Sequence, residues 1–369
     1  MVCTKIVKID PLHPNEKYLE EAAGILAQGG LVIIPTETVY GIAADGSNKK
    51  ALERLYRIKQ RPSDKPFSLL IARKESIEEL CRDIPVLAYK LVHKFWPGPL
   101  TLILKSKDNS AFGTSALLEC HGQRRETIGL RMPDDEVALR VIEMGGVPVV
   151  CPSANLSGKP AAVNFEEAIL DLQGQVDYAM DAGPTRLKQE SSVVDLTVMP
   201  VKCLRVGAIK EEEFEPIIRN KTVLFICTGN SCRSVMAKAW LEKIIKEKNR
   251  GDVGVLSAGV MMMAGFGASQ ETTELLKREG IEVSRHRSQR ISPELICRSD
   301  LILVMEKLHE EKILEIAPEA KNRLFLLKEF AKIEGNHLDI PDPIGRSFEF
   351  YERTFGIIRE AVERVAQLI

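Results

Sequence analysis

Cys227 and Arg233 stand six residues apart in VLFICTGNSCRS, the stretch from Val223 to Ser234. An apolar run stops at the cysteine, and a loop carrying Gly229 leads to the arginine. Successive backbone N–H groups of such a loop turn inward as an anion nest, and the start of a following helix adds donors and partial positive charge. Arg233 supplies a planar fork for two oxygens of one phosphate. The same positive surroundings favour the thiolate of Cys227. A thiolate aimed at phosphorus inside a phosphate cradle is a site for covalent phosphoryl transfer. Thr228, Gly229, Asn230, Ser231 and Cys232 make the loop. Ser234 has a hydroxyl to donate to the sulfur, and the Asn230 side chain suits bracing the turn.

A second set of candidates lies in the first half. IKQRPSDKP places Lys59, Arg61 and Lys65 within seven residues, a cation density suited to a triphosphate. Residues two apart on a helix face different ways, so Lys59 and Arg61 converge only if the helix ends there, as Pro62 suggests. The alternative is a solvated basic loop. PTETVYGIAADG (Pro35–Gly46) reads as a strand entering a loop rich in hydroxyls and glycine. CPSANLSG sets Ser153 and Asn155 just beyond another buried strand, and ESSVVDLT and LRVGAI add Ser191 and Arg205.

Two frames must hold these residues. At 369 residues the chain is too long for one ordinary core, so two domains are expected. With 44% apolar and 28% charged residues it falls in the soluble globular class, and a net charge of −1 excludes a global basic field for nucleic acid or anionic membrane. The N-terminal MVCTKIVKIDPLHPNEK has no apolar h-region, and no apolar run approaches membrane-spanning length. Eight cysteines without a framework of spacings read as reduced thiols, which places the protein in the cytoplasm. The expected domains are 1–210 and 221–369, joined by an acidic linker at 211–220. The first is α/β without simple alternation. In the second, TVLFICTG, VGVLSAG, DLILVME and RLFLLKE alternate with helical segments, which predicts a doubly wound parallel sheet with its site at the carboxyl ends of the strands.

VLFICTGNSCRSVMAKA resembles the active-site signature of the low-molecular-weight protein phosphatases. SAG (Ser257–Gly259), DLILVME (Asp300–Glu306) and DPIG (Asp342–Gly345) follow in that family's order over most of 221–369. The resemblance implies Cys227 as nucleophile, Arg233 as phosphate clamp, Asp342 as general acid, a phosphoprotein substrate and no cofactor. The prolines flanking Asp342 restrict its loop; Asp339 is the rival carboxylate. Members acting on phosphotyrosine usually carry an apolar branched residue where this chain has Ser231, and often an aromatic one where it has Ile344. The phosphoarginine branch has threonine at the first of these. A small polar residue suits a guanidinium better than a ring does, so phosphoarginine is expected over phosphotyrosine. Arsenate reduction and redox sensing through Cys227 and Cys232 are the alternatives. Cys232 reads equally as a partner for a reversible disulfide or as a packing thiol.

PTETVYGIA, KQRPSDKP, FWPGPLTLIL, TIGLRMPD, PSANLSG, ESSVVDL and LRVG together resemble the YrdC-like threonylcarbamoyl-adenylate synthases, in order over about residues 5–210. That family implies an open twisted α/β sheet with a concave basic cleft. It also implies condensation of L-threonine, bicarbonate and ATP, with Mg²⁺ accompanying the nucleotide as part of the substrate complex. The product feeds the machinery that threonylcarbamoylates tRNA, and a weak contact with tRNA or double-stranded RNA goes with the cleft. Carried over by motif, Lys59, Arg61, Lys65, Thr127, Ser153, Asn155 and Arg205 lie along ATP, and Thr38, Arg131 and Ser191 hold threonine. No residue is read as a metal ligand. Many members have a histidine where this chain has Leu70, and longer members append a different domain where this chain carries the phosphatase-like half. The non-enzymatic alternative is an RNA-binding module.

Overall fold

The computed structural model describes residues 3–369 except 63–64, 108–118, 121–122, 125, 262–264 and 334–336. The chain divides into two compact units, Met1–Glu215 and Pro216–Ile369.

The first unit is built on β1 (Lys5–Lys8), β2 (Val32–Ile34), β3 (Gly41–Asp45), β4 (Leu69–Leu70) and β5 (Leu100–Lys105). A small antiparallel pair, β6 (Glu119–Cys120) and β7 (Gln123–Arg124), stands apart from them. The rest of the sheet comes from β8 (Thr127–Arg131), β9 (Val149–Val150), β10 (Tyr178–Asp181), β11 (Ser192–Asp195) and β12 (Lys202–Arg205). The order is β1-β10-β2-β3-β9-β4-β8-β5-β11-β12, with parallel and antiparallel pairs mixed. Residues distant in sequence therefore meet at neighbouring strand ends. The helix Glu16–Ala27, capped by Asn15, buries Leu19, Ala22, Ala23 and Leu26, the i, i+3, i+4, i+7 stripe of an amphipathic helix. It packs with Val137, Ala138 and Val141 of the helix Glu136–Gly145 over β2 and β10.

A close approach locks the last two strands of this sheet. A Cβ on Gly207 would lie 2.2 Å from the carbonyl oxygen of Glu190, so only glycine fits. Buried Ser192 accepts from the N–H groups of Gly207 (2.9 Å) and Ile209 (3.1 Å) and donates to Ile209 O (2.8 Å). This brings LRVG against ESSVVDL.

The acidic stretch expected to be a linker is a helix, Glu211–Arg219. Its Phe214 is 1% exposed, with the Phe95 ring edge-on at 5.9 Å, so the first half of this segment belongs to the first unit. An apolar side chain with a partner takes a segment out of solvent whatever the charge around it.

Among the described residues the second unit has four parallel strands, β13 (Lys221–Cys227), β14 (Val253–Gly259), β15 (Leu301–Val304) and β16 (Leu324–Leu326), in the order β14-β13-β15-β16. Strand periodicity splits β13 between two cores. Val223, Phe225 and Cys227 join Met236 and Leu241 of the helix Arg233–Glu247 and Phe355 and Ile358 of the helix Phe348–Leu368. Leu224 and Ile226 join Ile296 and Ile313 on the other face. This is the doubly wound arrangement expected from the alternation.

Phe214→Ala should lower the stability of the first unit by about 3–5 kcal/mol and leave the second unit's transition in place. Thermal unfolding of the full chain followed by calorimetry would show one transition moving and one staying.

Candidate active sites

Cys227 ends β13 at 3% exposure, and the helix after the loop starts at Arg233. Asn230 is the loop's keystone. Its φ of +53° lies in the left-handed region that asparagine tolerates. Its Nδ2 donates to Ser234 Oγ (3.0 Å) and Ser257 Oγ (2.9 Å). Its Oδ1 accepts from Gln289 N (3.0 Å), and its carbonyl from His286 Nε2 (2.8 Å). Ser234 Oγ accepts from Asn230, which leaves its own hydrogen for Cys227 Sγ at 2.9 Å. A Cβ on Gly259 would meet Thr228 O at 2.8 Å and Asn230 N at 2.9 Å, so glycine lets the loop lie against β14.

Arg233 is 1% exposed, with both terminal nitrogens engaged. One terminal nitrogen donates to Ile340 O (2.8 Å) and pairs with Glu306. The other donates to Thr228 Oγ1 (3.1 Å) and pairs with Asp342. The structure thus brings Cys227, Arg233 and Asp342 to one loop end. Asp339 Oδ1 accepts from Lys307 N (2.8 Å), so the rival carboxylate serves a helix start. Cys232 is buried, with Sγ 3.6 Å from Tyr351 Oη and 3.5 Å from Ser231 Oγ, among the packing residues of the last helix. Ile344 is 62% exposed. Glu306 and His309 were missed by sequence reasoning. The signal was available for Glu306, which follows the carboxyl end of β15 much as Thr228 follows that of β13.

In the first unit a cavity of about 150 Å³ is lined by Thr36, Arg61, Leu70, Arg131, Ser153, Ser191 and Arg205, among others. Arg131, at the end of β8, is buried; one terminal nitrogen donates to Glu37 Oε2 and to Thr38 Oγ1, both at 2.7 Å. Arg131 Nε and Glu37 Oε1 are buried without a protein partner. Ser191 Oγ lies 2.9 Å from Thr101 Oγ1. Arg205 donates to Ser191 O (2.9 Å) and Ser191 Oγ (3.1 Å), and it pairs with Glu190 at 2.7 Å.

The three expected phosphate cations do not share one surface. The helix Lys49–Lys59 ends at Gln60, φ +49°, as Pro62 suggested. Lys59 turns inward, with Nζ on Ser153 O (2.5 Å), Asn155 O (2.7 Å) and Asn155 Oδ1 (2.8 Å), so its three donors are taken. Burial and then the charge of Arg61 lower its pKa to about 8. Arg61 lines the cavity, held by Lys65 O and Pro66 O at 3.0 Å, while Lys65 is exposed. Thr127 opens β8, four residues or roughly 13 Å from Arg131, and is absent from the cavity wall. Cys151 also lines the cavity, and burial pushes its thiol up to about 12. Thr36, Glu37, Thr101 and Glu190 were not singled out from the sequence; the last three meet partners distant in the chain, Arg131, Ser191 and Arg205, while Thr36 bonds locally to Thr38 and Val39.

His309 is buried, and its pKa falls to about 4, first through burial and then through the charge of Arg233. Between about pH 4 and 6.5 the unfolded chain holds a proton that the folded one does not, so stability falls as pH drops through that window. His286, also lowered by burial, adds in the same direction. Urea unfolding of the second unit at stepped pH should show this slope, reduced in His309→Gln.

Residues 24–207 match the Sua5/YciO/YrdC family, described as telomere recombination, and residues 222–369 match the low molecular weight phosphotyrosine protein phosphatases. A threonylcarbamoyl-AMP synthase of Pyrococcus abyssi is 41% identical over 205 residues, covering 55% of this chain and 58% of the relative. The chain therefore spans little more than half of that relative's length. A protein-arginine-phosphatase of Geobacillus stearothermophilus is 39% identical over 145 residues, 39% of this chain and 93% of the relative. The crystal structure of P. abyssi Sua5 complexed with L-threonine aligns with 88% of this chain and 99% of its own, at 27% identity and a TM-score of 0.53. Built around these two constellations, the chain belongs to both families, its first unit a Sua5/YciO/YrdC domain and its second a low molecular weight phosphatase domain.

Proposed function

We propose that the protein is bifunctional: the first unit forms threonylcarbamoyl-AMP and pyrophosphate from L-threonine, bicarbonate and ATP, and the second hydrolyses phosphorylated protein through a phosphocysteine at Cys227. The product of the first would pass to the tRNA threonylcarbamoyl-transfer machinery. No helix among the described residues is long and apolar enough to cross a membrane, and a cytoplasmic site is part of this reading.

The observation that carries the first activity is the orphaned Nε of Arg131, a residue of the cavity wall. The carboxylate of an amino acid in the cavity supplies the missing acceptor. Thr38 and Ser191 complete that end. Arg61, Ser153 and Arg205 face the nucleotide, which enters as its Mg²⁺ complex. Lys59 acts through Ser153 and Asn155, which it holds in place, and Lys65 and Thr127 extend the nucleotide surface beyond the cavity. Bicarbonate condenses with the threonine ammonium to a carbamate, releasing water and a proton to solvent, and a carbamate oxygen attacks the α-phosphorus as the bond to pyrophosphate breaks. Arg61 and Arg205 offset the charge that develops. Pyrophosphate release should require both ATP and L-threonine, and Arg131→Ala should raise the threonine KM at least about 100-fold, as loss of a buried charge contact does. Salt-sensitive RNA binding without pyrophosphate release would overturn this reading.

The second activity is carried by Cys227, Ser234, Arg233 and Asp342 at one loop end. A phosphoryl group takes its place on the backbone N–H groups and on Arg233, displacing Asp342 from the guanidinium. Cys227 Sγ attacks phosphorus, and Asp342 passes its proton to the leaving nitrogen or oxygen. Asp342 then takes a proton from the water that cleaves the S–P bond. Ser231 and the exposed Ile344 present no ring to clasp a phenyl group, which favours phosphoarginine. A phosphoarginine peptide should be hydrolysed faster than a phosphotyrosine peptide, with Cys227→Ser at background and Asp342→Asn lowered about 10²–10⁴-fold in kcat. The reverse preference would overturn the argument from Ser231.

A further inference from the structure

His309 is packed beneath the phosphate loop with every polar atom committed. It sits one turn into the helix Lys307–Ile316 and is 1% exposed. Glu306 N donates to its Nδ1 at 3.2 Å, so Nδ1 carries no hydrogen. The ring hydrogen is therefore on Nε2, which lies 3.0 Å from Thr228 Oγ1 and donates to it. The same oxygen accepts from Arg233 at 3.1 Å. A threonine hydroxyl has two acceptor lone pairs and one hydrogen. Here both lone pairs are taken by donors from buried side chains, and the hydroxyl can act only as a donor.

We propose that His309 is a positioning residue for phosphate recognition: with Arg233 it forces the Thr228 hydroxyl to donate, and the acceptor is an oxygen of the phosphoryl group held by Arg233. This rests on reading the second unit as a phosphate-binding hydrolase site. Thr228 follows Cys227 directly and touches the guanidinium nitrogen that also meets Asp342. A phosphoryl oxygen that replaces Asp342 on that nitrogen comes within reach of the hydroxyl. Without His309, Thr228 is free to donate elsewhere and to rotate away from Arg233. Arg233, Glu306, Asp339 and Asp342 are the charged groups around the imidazole, and the charge of Arg233 together with burial keeps the ring neutral, the state the arrangement requires.

Two amides separate this role from the helix start. His309→Asn places an acceptor where Nδ1 is, keeping the Glu306 contact, but ends short of Thr228. His309→Gln places a donor where Nε2 is. Binding of inorganic phosphate to the full-length protein, measured by calorimetry, is the readout, with thermal unfolding alongside. Thr228→Val and His309→Asn should each weaken phosphate about tenfold, the worth of one hydrogen bond to a charged group. The double variant should also lose about tenfold, not a hundredfold, because the two residues act as one. His309→Gln and Thr228→Ser should recover most of the affinity. Wild-type affinity in His309→Asn, or losses that multiply in the double variant, would overturn the proposal. Binding is read without turnover, so a chain that binds phosphate and hydrolyses no phosphorylated peptide contradicts the phosphatase reading and not this one.

Discussion

A guanidinium taken out of water must have its donors met, and each unit is organised around one. Arg233 is completely enclosed, and four acceptors from three separate segments close on it: Thr228, Glu306, Ile340 and Asp342. Removing a partner from such a buried charge costs about 3–5 kcal/mol, so the ends of β13 and β15 and the loop before the last helix are tied together through this side chain. Arg131 in the first unit is also buried, though less completely; among the described residues its side chain meets Glu37 and Thr38, and its Nε is left over. A ligand at Arg233 would have to displace carboxylates, and one at Arg131 would bring an acceptor that the protein does not supply.

The sheets decide what reaches these arginines. Four parallel strands put all their carboxyl ends on one edge, so loops from β13 and β15 meet without long excursions. The first unit reaches the same end by a different route. Mixed pairing sets β4 between β8 and β9 and sets β5 between β8 and β11, so the ends of chain segments about 30 to 90 residues apart line one small cavity. Tight packing holds the arrangement in register. Gly207 against Glu190 and Gly259 against Thr228 are places where one added carbon would push a strand off its site.

Lysine and histidine play a supporting part in both units. Lys59 spends its three donors on Ser153 and Asn155, and His309 spends its ring on Glu306 and Thr228. Neither is free for a ligand, yet each sets the direction of groups that are. Burial lowers the proton affinity of both. The neutral form this favours in His309 is the one its hydrogen bonds demand.

Much of the second site was legible from neighbours in sequence. Cys227 to Ser234 is a single strand-loop-helix turn, so backbone geometry alone brings Cys227, the loop and Arg233 together. The same holds for the amphipathic helices and for the alternation that builds the parallel sheet. The boundary between the units falls inside the expected linker; charge dominates GAIKEEEFEPIIRNK, while one phenylalanine with a partner at Phe95 sets its first half in the first unit. What spacing could not show is which distant side chain completes a buried charge. Glu306 and His309 for Arg233, and Glu37 for Arg131, come from elements whose adjacency depends on strand order. Lys59 is expected along the nucleotide from its type, its neighbours and the family motif, and the three-dimensional path of Ser153 and Asn155 gives its Nζ acceptors that spacing does not show. Local covalent order determined the chemistry this protein carries. Long-range strand pairing decided which residues make that chemistry specific, because hydrogen bonds to a buried ion are set by proximity in space.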